Sequence, residues 1–388
     1  MKNWKESWGW GITMNKNYRM CSRCVMDTTA GDISFDENGV CNYCTEFLER
    51  SSKVLFKDSE SSKKSLDIFV NEIKKDGKDK PYDCIVGVSG GVDSSWVLVK
   101  TVELGLKPLA VHMDNGWNSE LAQNNISNLV QKLGVPLHTH VINWEEYKSL
   151  MQAFFDADVI DVELLYDNAM LAVNYRMAAK YRLKHILSGT NLATEGMKIP
   201  SSWNWFKWDK KNIKAIGRIF QNVSLKTFPA IGTVEFILKD VIRGIKWESF
   251  LDYMDYNKFT AMEILQRDFD YKSYPYKHYE SIFTRFYQGY ILPEKFGIDK
   301  RKVHLATLVV SGQMSREDAL EGLKGIAYPS ERELKEDITY FLKKMNWTLD
   351  ILENYLSRPE KPHSFYSSEK KFYDFCRKIH KKVTLSYT

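Results

Sequence analysis

The sequence predicts an α/β fold in which a parallel sheet carries helices on both faces, preceded by a small four-cysteine unit and followed by a mostly helical C-terminal region. Two observations predict the sheet: from Tyr82 short β-branched runs alternate with amphipathic stretches, and glycines close several of these stretches. After about residue 258, apolar side chains recur at helical spacing instead. With 388 residues, the chain is long enough for two or three such units.

The predicted elements alternate in the order expected for a parallel sheet. Strands are predicted at 84–88, 109–113, 137–142 and 185–188, and helices at 94–104, 121–133 and 168–182. The C-terminal region is predicted to form helices around an apolar face that includes Phe283 and Phe286, and again at 315–324 and 331–356. Because ligands of parallel sheets bind beyond the carboxyl ends of the strands, we expect the functional site at that edge.

These patterns divide the chain into five segments. They are an N-terminal extension (1–17), the four-cysteine unit (18–50), a linker and helix (51–80), the α/β domain with a basic aromatic segment (81–257), and a helical region with a basic tail (258–388).

Composition excludes several classes of protein. The chain is 44% hydrophobic, which excludes wholesale disorder, and no apolar run is long enough to span a membrane. The first twenty residues lack an apolar core, so we expect no secretory signal and a cytoplasmic location. The net charge is only +5, yet residues 197–220 (six basic, one acidic) and 358–388 (eight basic, three acidic) are strongly basic. We therefore expect anionic partners at defined places and no broad surface for nucleic acid. Because no apolar run can span a bilayer, we also expect no membrane contact.

A glycine–serine loop is the most informative stretch. Residues 88–95, Val-Ser-Gly-Gly-Val-Asp-Ser-Ser, follow an apolar strand and open a helix. Gly90 and Gly91 let backbone N–H groups approach a ligand closely, and the first helical turn adds donors and the positive end of the helix dipole. This arrangement suits a polyanion. Asp93 would repel phosphate directly, so we expect it to hold a Mg²⁺ ion that bridges phosphate oxygens. The lysine of a Walker loop is missing, so γ-phosphate transfer is not expected.

Four cysteines form a second motif. Cys21-Ser-Arg-Cys24 and Cys41-Asn-Tyr-Cys44 are separated by sixteen residues, a spacing typical of a four-thiolate zinc site. Four sulfurs would close the tetrahedron, so this zinc would be structural and would supply folding energy to a small unit. An iron–sulfur cluster and redox-active thiols are the alternatives. Cys84 and Cys376 are expected to be buried and inert.

The stretch from Ser89 to Ser95 resembles the PP-loop of the N-type ATP pyrophosphatases, which include GMP and NAD synthetases. The resemblance implies a PP-loop (adenine nucleotide alpha hydrolase-like) fold, attack of a substrate oxygen on the α-phosphorus of ATP, and release of PPi. It also implies that Asp93, Ser94 and Ser95 are catalytic. The residues implied to bind ATP are Val88, Ser89, Gly90, Gly91, Val92, Asp93, Ser94, Ser95, Met113, Asp114, Gly189 and Thr190.

Two of these groups lie at the ends of later strands. Met113 and Asp114 end the second strand, where adenine lies in that superfamily, and Gly189-Thr190 ends a later one, where a loop closes on the α-phosphate. His112 fits a site residue and an ordinary strand histidine equally well. Asp114-Asn-Gly116 also fits a simple turn.

With the cysteine unit joined to the loop, the chain resembles the N-acetyl sugar amidotransferases, which make acetamidino sugars for surface polysaccharides or flagellar glycans. The resemblance covers about residues 18–345, including Cys21–Cys44, Lys277-His-Tyr-Glu280 and the stretch that ends at Arg301. It implies that ATP adenylates an acetamido oxygen and that ammonia then replaces it. Substrate contacts are expected from Lys207, within the basic aromatic segment, and from Lys277, Glu280 and Arg285, while Arg301 fits a surface charge as well.

The source of ammonia is expected to lie outside the chain. The sequence shows no Gly-x-Cys-x-Gly elbow and no N-terminal cysteine nucleophile. The resemblance implies a separate glutaminase subunit, with a barrel partner as a channel. The basic tail is either its docking site or simply solvated.

Two other functions compete with this interpretation. A PP-loop enzyme that thiolates tRNA or forms lysidine uses the same activation, although the low net charge and the lack of a CxxC after the loop disfavour it. A nucleotide-sensing scaffold would bind ATP without releasing PPi.

Overall fold

The computed structural model describes residues 18–52, 54, 59–275, 277 and 279–385. Its centre is a five-stranded, fully parallel sheet in the order β3-β2-β1-β4-β5. The strands are β1 Cys84–Gly87, β2 Pro108–Asp114, β3 Leu137–Val141, β4 His185–Ser188 and β5 Lys246–Ser249. The parallel sheet predicted from the alternating pattern is confirmed. The edge strand β5 was not predicted, because Lys-Trp-Glu-Ser contains no β-branched run.

The helices surround this sheet. They are α1 Asn42–Ser51, α2 Ser59–Gly77, α3 Val92–Glu103, α4 Glu120–Leu133, α5 Trp144–Asp156, α6 Leu164–Lys180, α7 Leu192–Glu195, α8 Lys210–Gln221, α9 Thr233–Ile237, α10 Lys258–Phe269, α11 Ile282–Phe286, α12 Leu292–Phe296, α13 Arg301–Val310, α14 Arg316–Gly322, α15 Glu331–Met345, α16 Leu349–Ser357 and α17 Lys370–Leu385. The π-helical turns Leu238–Ile242 and Tyr287–Ile291 continue α9 and α11, and 3₁₀ turns occupy Phe250–Tyr253 and His363–Phe365.

Helices cover both faces of the sheet, as predicted. Alternate residues of β1 point to opposite sides: Ile85 joins a core with α5, α6 and the C-terminal helices, while Val86 joins a core with α2, α3, α4 and α10. The first core extends to the cysteine unit, and includes Phe47 of α1. The second includes Leu265 of α10, so this helix packs on the α/β face.

One predicted helix is interrupted. The apolar pattern predicts a single helix over 331–356, but α15 ends at Met345 and α16 begins at Leu349. Asn346 has the left-handed backbone conformation, with φ of 58°, and caps α15. The break turns Trp347 into the core, where it packs against Phe155 and Phe341. Apolar periodicity continues across the turn, which explains why the sequence pattern does not show it.

The register brings three loops together. Gly87 pairs with Val111, and Val86 pairs with Leu187, so β1 lies between β2 and β4. The strands are parallel, so the segments that follow these three strands leave the sheet at the same edge. Both stretches expected to bind nucleotide after β2 and β4 therefore flank the loop after β1.

Candidate active site

The glycine–serine loop forms a narrow turn between β1 and α3. Gly90 has a φ of 87°, and a Cβ at this position would lie 2.9 Å from the carbonyl oxygen of Ala122 in α4. Ser94 Oγ donates to the carbonyl of Gly91 at 3.2 Å and lies 3.1 Å from Ser89 Oγ. Both the conformation and the close packing require glycine at position 90. The hydroxyl groups hold the turn so that the amino end of α3 faces the carboxyl edge of the sheet.

The segment after β4 packs directly on this helix end. A Cβ at Gly189 would lie 2.8 Å from the backbone nitrogen of Ser94. Thr190 N donates to Ser188 Oγ at 3.2 Å, and Asn191 Oδ1 accepts from Thr194 N at 2.9 Å, which caps α7. The structure thus brings Gly189 and Thr190 against the loop, where the sequence analysis expected them.

Asp93 is the centre of the polar contacts. Its Oδ1 accepts a hydrogen bond from the Tyr256 hydroxyl, and its Oδ2 accepts one from Thr194 Oγ1 at 3.3 Å. Lys277 Nζ lies 3.7 Å from the same Oδ2 and 2.7 Å from Glu195 Oε1. The Asp93 and Lys277 side chains are only 15% and 16% exposed. Three separate segments therefore orient this carboxylate.

The donors around Asp93 fit a divalent cation. Asp93 and Glu195 supply carboxylate oxygens, the ligand type that Mg²⁺ prefers. The Lys277 ammonium contacts both carboxylates, so the pair already accommodates a positive charge between them. Asp93 and Glu195 are therefore the residues that would hold a Mg²⁺ ion, with the Lys277 ammonium beside them.

Three members of this cluster were missed by the sequence analysis: Glu195, Tyr256 and Lys258. Glu195 lies six positions after Gly189. It reaches the site because the short helix α7 ends at Glu195, and the spacing in the sequence does not indicate this helix. Burial lowers the pKa of Lys258, and the charge of Lys277 acts in the same direction. No sequence pattern marks Tyr256 or Lys258, because the turn that carries them folds back over α3 from another part of the chain.

Glu280 lies over the loop. A Cβ at Gly91 would lie 2.9 Å from Glu280 Oε1, so the carboxylate covers the glycine. Its backbone is held to the segment after β2, since Ser119 N donates to the Glu280 carbonyl at 2.9 Å and Asn118 bridges to Ser281. Burial raises the pKa of Glu280, and the charge of Asp93 adds to this. The two predicted substrate contacts Lys277 and Glu280 are thus both next to the phosphate loop.

The end of β2 braces the loop. His112 Nδ1 lies 2.9 Å from the Val88 carbonyl, and its Nε2 lies 3.0 Å from Asn118 Nδ2. Burial lowers the pKa of His112, which favours the neutral ring. A neutral ring that donates from Nδ1 to Val88 and accepts at Nε2 satisfies both contacts. His112 therefore supports the structure. Met113 is buried beside it, and Asp114 Oδ1 accepts from Gly116 N at 2.8 Å to close a turn.

The remaining two predicted substrate contacts are engaged in ion pairs. Lys207 Nζ lies 2.6 Å from Asp161 Oδ2 and 2.8 Å from Asp167 Oδ2. Burial opposes ionisation of Asp161, but the charges of Lys207 and Lys300 outweigh it and hold its pKa below the ordinary value. Arg285 makes two bonds of 2.6 Å to the carboxylate of Asp337. As substrate ligands both residues remain predictions.

The aromatic side chains around Lys207 pack within the fold. Trp203 is buried, Trp205 stacks on His363 with centroids 5.1 Å apart, and Trp208 stacks on Phe236 at 4.0 Å. These ring faces are occupied by protein. Arg301 is likewise structural, because its guanidinium binds Asp299 and carbonyl groups at the end of α14.

The four cysteines meet at one point, and all are fully buried. The Sγ atoms of Cys21 and Cys44 are 3.9 Å apart, those of Cys24 and Cys41 3.8 Å, and those of Cys41 and Cys44 3.7 Å. Tetrahedral zinc with Zn–S bonds of about 2.3 Å requires sulfur–sulfur distances of about 3.8 Å. The sulfurs therefore fit one zinc ion, are too far apart for disulfides, and leave no room for an iron–sulfur cluster.

The cysteine unit supports α7 and the C-terminal helices. Arg316 donates to the carbonyl groups of Cys21 and Cys24 at 3.0 and 3.1 Å. Arg50 of α1 donates to the carbonyl of Gly196, directly after Glu195. The cysteine unit thus touches the segment that carries Glu195, a candidate Mg²⁺ ligand.

Asp252 gives the site a pH-dependent contact. Its Oδ1 accepts from Leu192 N, at the start of α7, at 2.7 Å, yet burial raises its pKa to about 6. A folded-state pKa above the unfolded value of about 3.9 means that the ionised carboxylate destabilises the protein above pH 6. We expect Asp252→Asn, which keeps the acceptor oxygen, to raise the free energy of unfolding by about 1–2 kcal/mol at pH 8.

This gain in the free energy of unfolding should shrink as the pH falls from 6 to 4. In this range Asp252 of the wild-type protein is protonated in the folded state but still ionised in the unfolded state. Thermal unfolding of both proteins from pH 8 to pH 4.5 measures it. A gain that stays constant across this range would contradict the burial argument.

Two family models match separate parts of the chain. Residues 280–380 match the C-terminal domain of WbpG-like LPS biosynthesis proteins, and residues 62–198 match NAD synthase. The second range contains β1 to β4 with the loops that meet at Asp93. The first contains Glu280, the helices α11 to α16 and most of α17. No curated protein matches the chain.

The solved structures that match this chain share little sequence with it. NMN synthetase from Francisella tularensis is 13% identical, with a TM-score of 0.29, and the match covers 56% of this chain and 99% of that one. NH3-dependent NAD synthetase from Campylobacter jejuni is 15% identical, with a TM-score of 0.28, covering 54% and 93%. A predicted subunit of tRNA methyltransferase from Methanocaldococcus jannaschii is 13% identical, with a TM-score of 0.27, covering 47% and 75%. Within the described ranges, no helix is long and apolar enough to cross a bilayer.

Proposed function

We propose that this chain, which belongs to an amidotransferase-like PP-loop family of lipopolysaccharide biosynthesis, converts the acetamido group of an N-acetylated sugar to an acetamidino group. ATP supplies the activating adenylate, and AMP and PPi are released. The observation that carries the proposal is the cluster at Asp93, where the amino end of α3, the Gly189 loop and Lys277 face one another.

In the first step, the acetamido oxygen attacks the α-phosphorus of ATP, and the bond from that phosphorus to the β-phosphate oxygen breaks. This yields an N-protonated O-adenyl imidate and PPi. Negative charge grows on the leaving pyrophosphate, and the amino end of α3, Lys277 and Lys258 are placed to stabilise it. Mg²⁺, held by Asp93 and Glu195, would add its charge to the same stabilisation. No side chain needs to form a covalent bond.

In the second step, ammonia adds to the imidate carbon. The carbon–oxygen bond to AMP then breaks, and one proton is released, so the products are the acetamidinium sugar and AMP. Positioning and exclusion of water account for most of this chemistry. Hydrolysis at the same carbon would return the acetamide and waste ATP, which gives a reason for the cover that Glu280 and Tyr274 form over the loop.

Ammonia is proposed to come from a separate glutaminase subunit, with a barrel protein as its channel. Cys84 is buried within β1 and Cys376 lies on α17, so neither is placed like a glutaminase nucleophile. We propose a cytoplasmic location, because the proposed reaction consumes ATP. The sugar and its carrier are not specified by the features above.

The test is to incubate the purified protein with acetamido nucleotide sugars, ATP, Mg²⁺ and ammonium. Replacement of oxygen by NH lowers the substrate mass by about one unit, and one PPi should form per product. Glutamine alone should not support turnover. Formation of ADP would reject the proposal. PPi release that depends on tRNA and not on sugar would also reject it and would favour the tRNA-modifying alternative.

A further inference from the structure

Two basic segments that are far apart in sequence meet in the fold. Glu369, just before α17, donates its backbone N–H to Asp209 Oδ1 at 2.9 Å, and Asp209 caps α8. Asn212 of α8 donates to the Ser367 carbonyl at 3.3 Å, and the Glu369 carboxylate accepts from Thr233 N at the start of α9. The amino ends of α8, α9 and α17 therefore meet at one place. The strongly basic segments 197–220 and 358–388 become neighbours there.

Helix α9 and its π-helical continuation expose an apolar stripe beside this junction. Phe236 points inward and stacks on Trp208. The outward side chains are aliphatic and 46–71% exposed: Val234, Leu238, Val241 and Ile242. Scattered apolar residues are ordinary on a protein surface, but four within ten consecutive residues form a patch.

Helix α17 exposes a second stripe. Tyr373 contacts Phe206 with ring centroids 4.5 Å apart and holds the start of the helix to the body. Phe372, Phe375 and Ile379 are 48%, 60% and 47% exposed, at the three- and four-residue spacing of one helical face. The exposed cations Lys371, Arg377 and Lys378 flank this stripe.

Helix α8 adds positive charge. Lys211, Lys214 and Arg218 recur every three or four residues and are exposed. None of the ion pairs formed between described residues involves these three side chains, whereas the acidic groups nearby, Glu235 and Asp374, are paired with lysines. We call the exposed surface of α8, α9 with its π-helical turn, and α17 the basic–apolar face.

We propose that the basic–apolar face docks on an anionic phospholipid surface. Amphipathic helices that expose Phe and aliphatic side chains between lysines lie in the membrane interface, where the apolar groups enter the acyl boundary and the cations meet lipid phosphates. Protein interfaces are depleted of lysine, and here lysines outnumber arginines. The sequence analysis expected no membrane contact because no segment can span a bilayer, but peripheral binding needs no spanning segment. This proposal is independent of the proposed reaction.

The test is co-sedimentation of the full-length protein with vesicles of phosphatidylglycerol and phosphatidylethanolamine, and with vesicles of phosphatidylcholine. Binding should occur only to the anionic vesicles and should fall when NaCl rises from about 0.05 to 0.5 M. Lys211→Glu with Lys214→Glu should lower the partition coefficient at least about tenfold, since each cation near the surface matters. Lys324→Glu with Arg332→Glu changes the charge equally just after α14 and on α15, outside the basic–apolar face, and should have no comparable effect.

The apolar contribution is tested separately. Phe375→Ser should weaken binding to anionic vesicles, while Ile68→Ser, an equally exposed position on α2, should not. Unchanged thermal unfolding in each variant shows that folding is retained. Equal binding to both vesicle types, no binding at all, or a dimer in solution that Phe375→Ser dissociates would overturn the proposal. The proposal would also fail if the full-length chain did not bind vesicles and Phe375 were covered by another protein.

Discussion

Asp93→Asn is expected to lower the rate of PPi release by about a hundred- to a thousandfold. The change removes the charge that would hold Mg²⁺ with Glu195, yet the amide keeps the size of the side chain and an oxygen that accepts from Tyr256. Folding should therefore be retained, and thermal unfolding checks this. AMP and PPi, measured by chromatography with ammonium and an acetamido sugar, give the rate.

Asp240→Asn is the matched control. Asp240 forms its ion pair with Lys246 at the amino end of β5, and the candidate site lies at the carboxyl ends of the strands. Its activity should equal that of the unmodified protein. If Asp93→Asn retained full activity, or if the products were ADP and orthophosphate, cleavage between the α- and β-phosphates at this loop would be ruled out.

Cys41→Ser is expected to abolish zinc binding and to unfold the unit formed by residues 18–50. Metal binding supplies apparent free energies of order 10 kcal/mol to small zinc domains, and a unit of this size has little core of its own. Elemental analysis should find one zinc per chain before the change and none after it. Protease should then cut within 18–50 while the α/β domain stays intact.

Loss of zinc in Cys41→Ser should also affect the candidate active site. Arg50 holds the carbonyl of Gly196, so loosening of α1 frees the segment that carries Glu195. We expect a raised KM for Mg²⁺–ATP. Cys376→Ser, at a half-buried position on α17, should change neither zinc content nor activity. Wild-type zinc content in Cys41→Ser, or an iron signal from the native protein, would contradict the four-thiolate zinc site.

The sequence by itself determined the features of this protein that depend on residues close together in the chain. The alternation of β-branched and amphipathic runs predicted the parallel sheet, and the glycines at 90 and 91 predicted a loop for a polyanion. The two CxxC pairs predicted that four cysteines meet at one point. Each of these features depends on residues a few positions apart, whose spacing follows from backbone geometry. The same limit explains the error at 331–356, where one turn at Asn346 does not disturb the apolar periodicity.

Only the tertiary structure decided which side chains meet. Tyr256 and Lys277 reach Asp93 from beyond the sheet, and Arg285 is bound to Asp337. The junction joins Asp209 and Glu369, which lie in two basic segments and are 160 residues apart. Contacts at such separations depend on how helices pack across the sheet, and a single sequence carries no periodic signal for them.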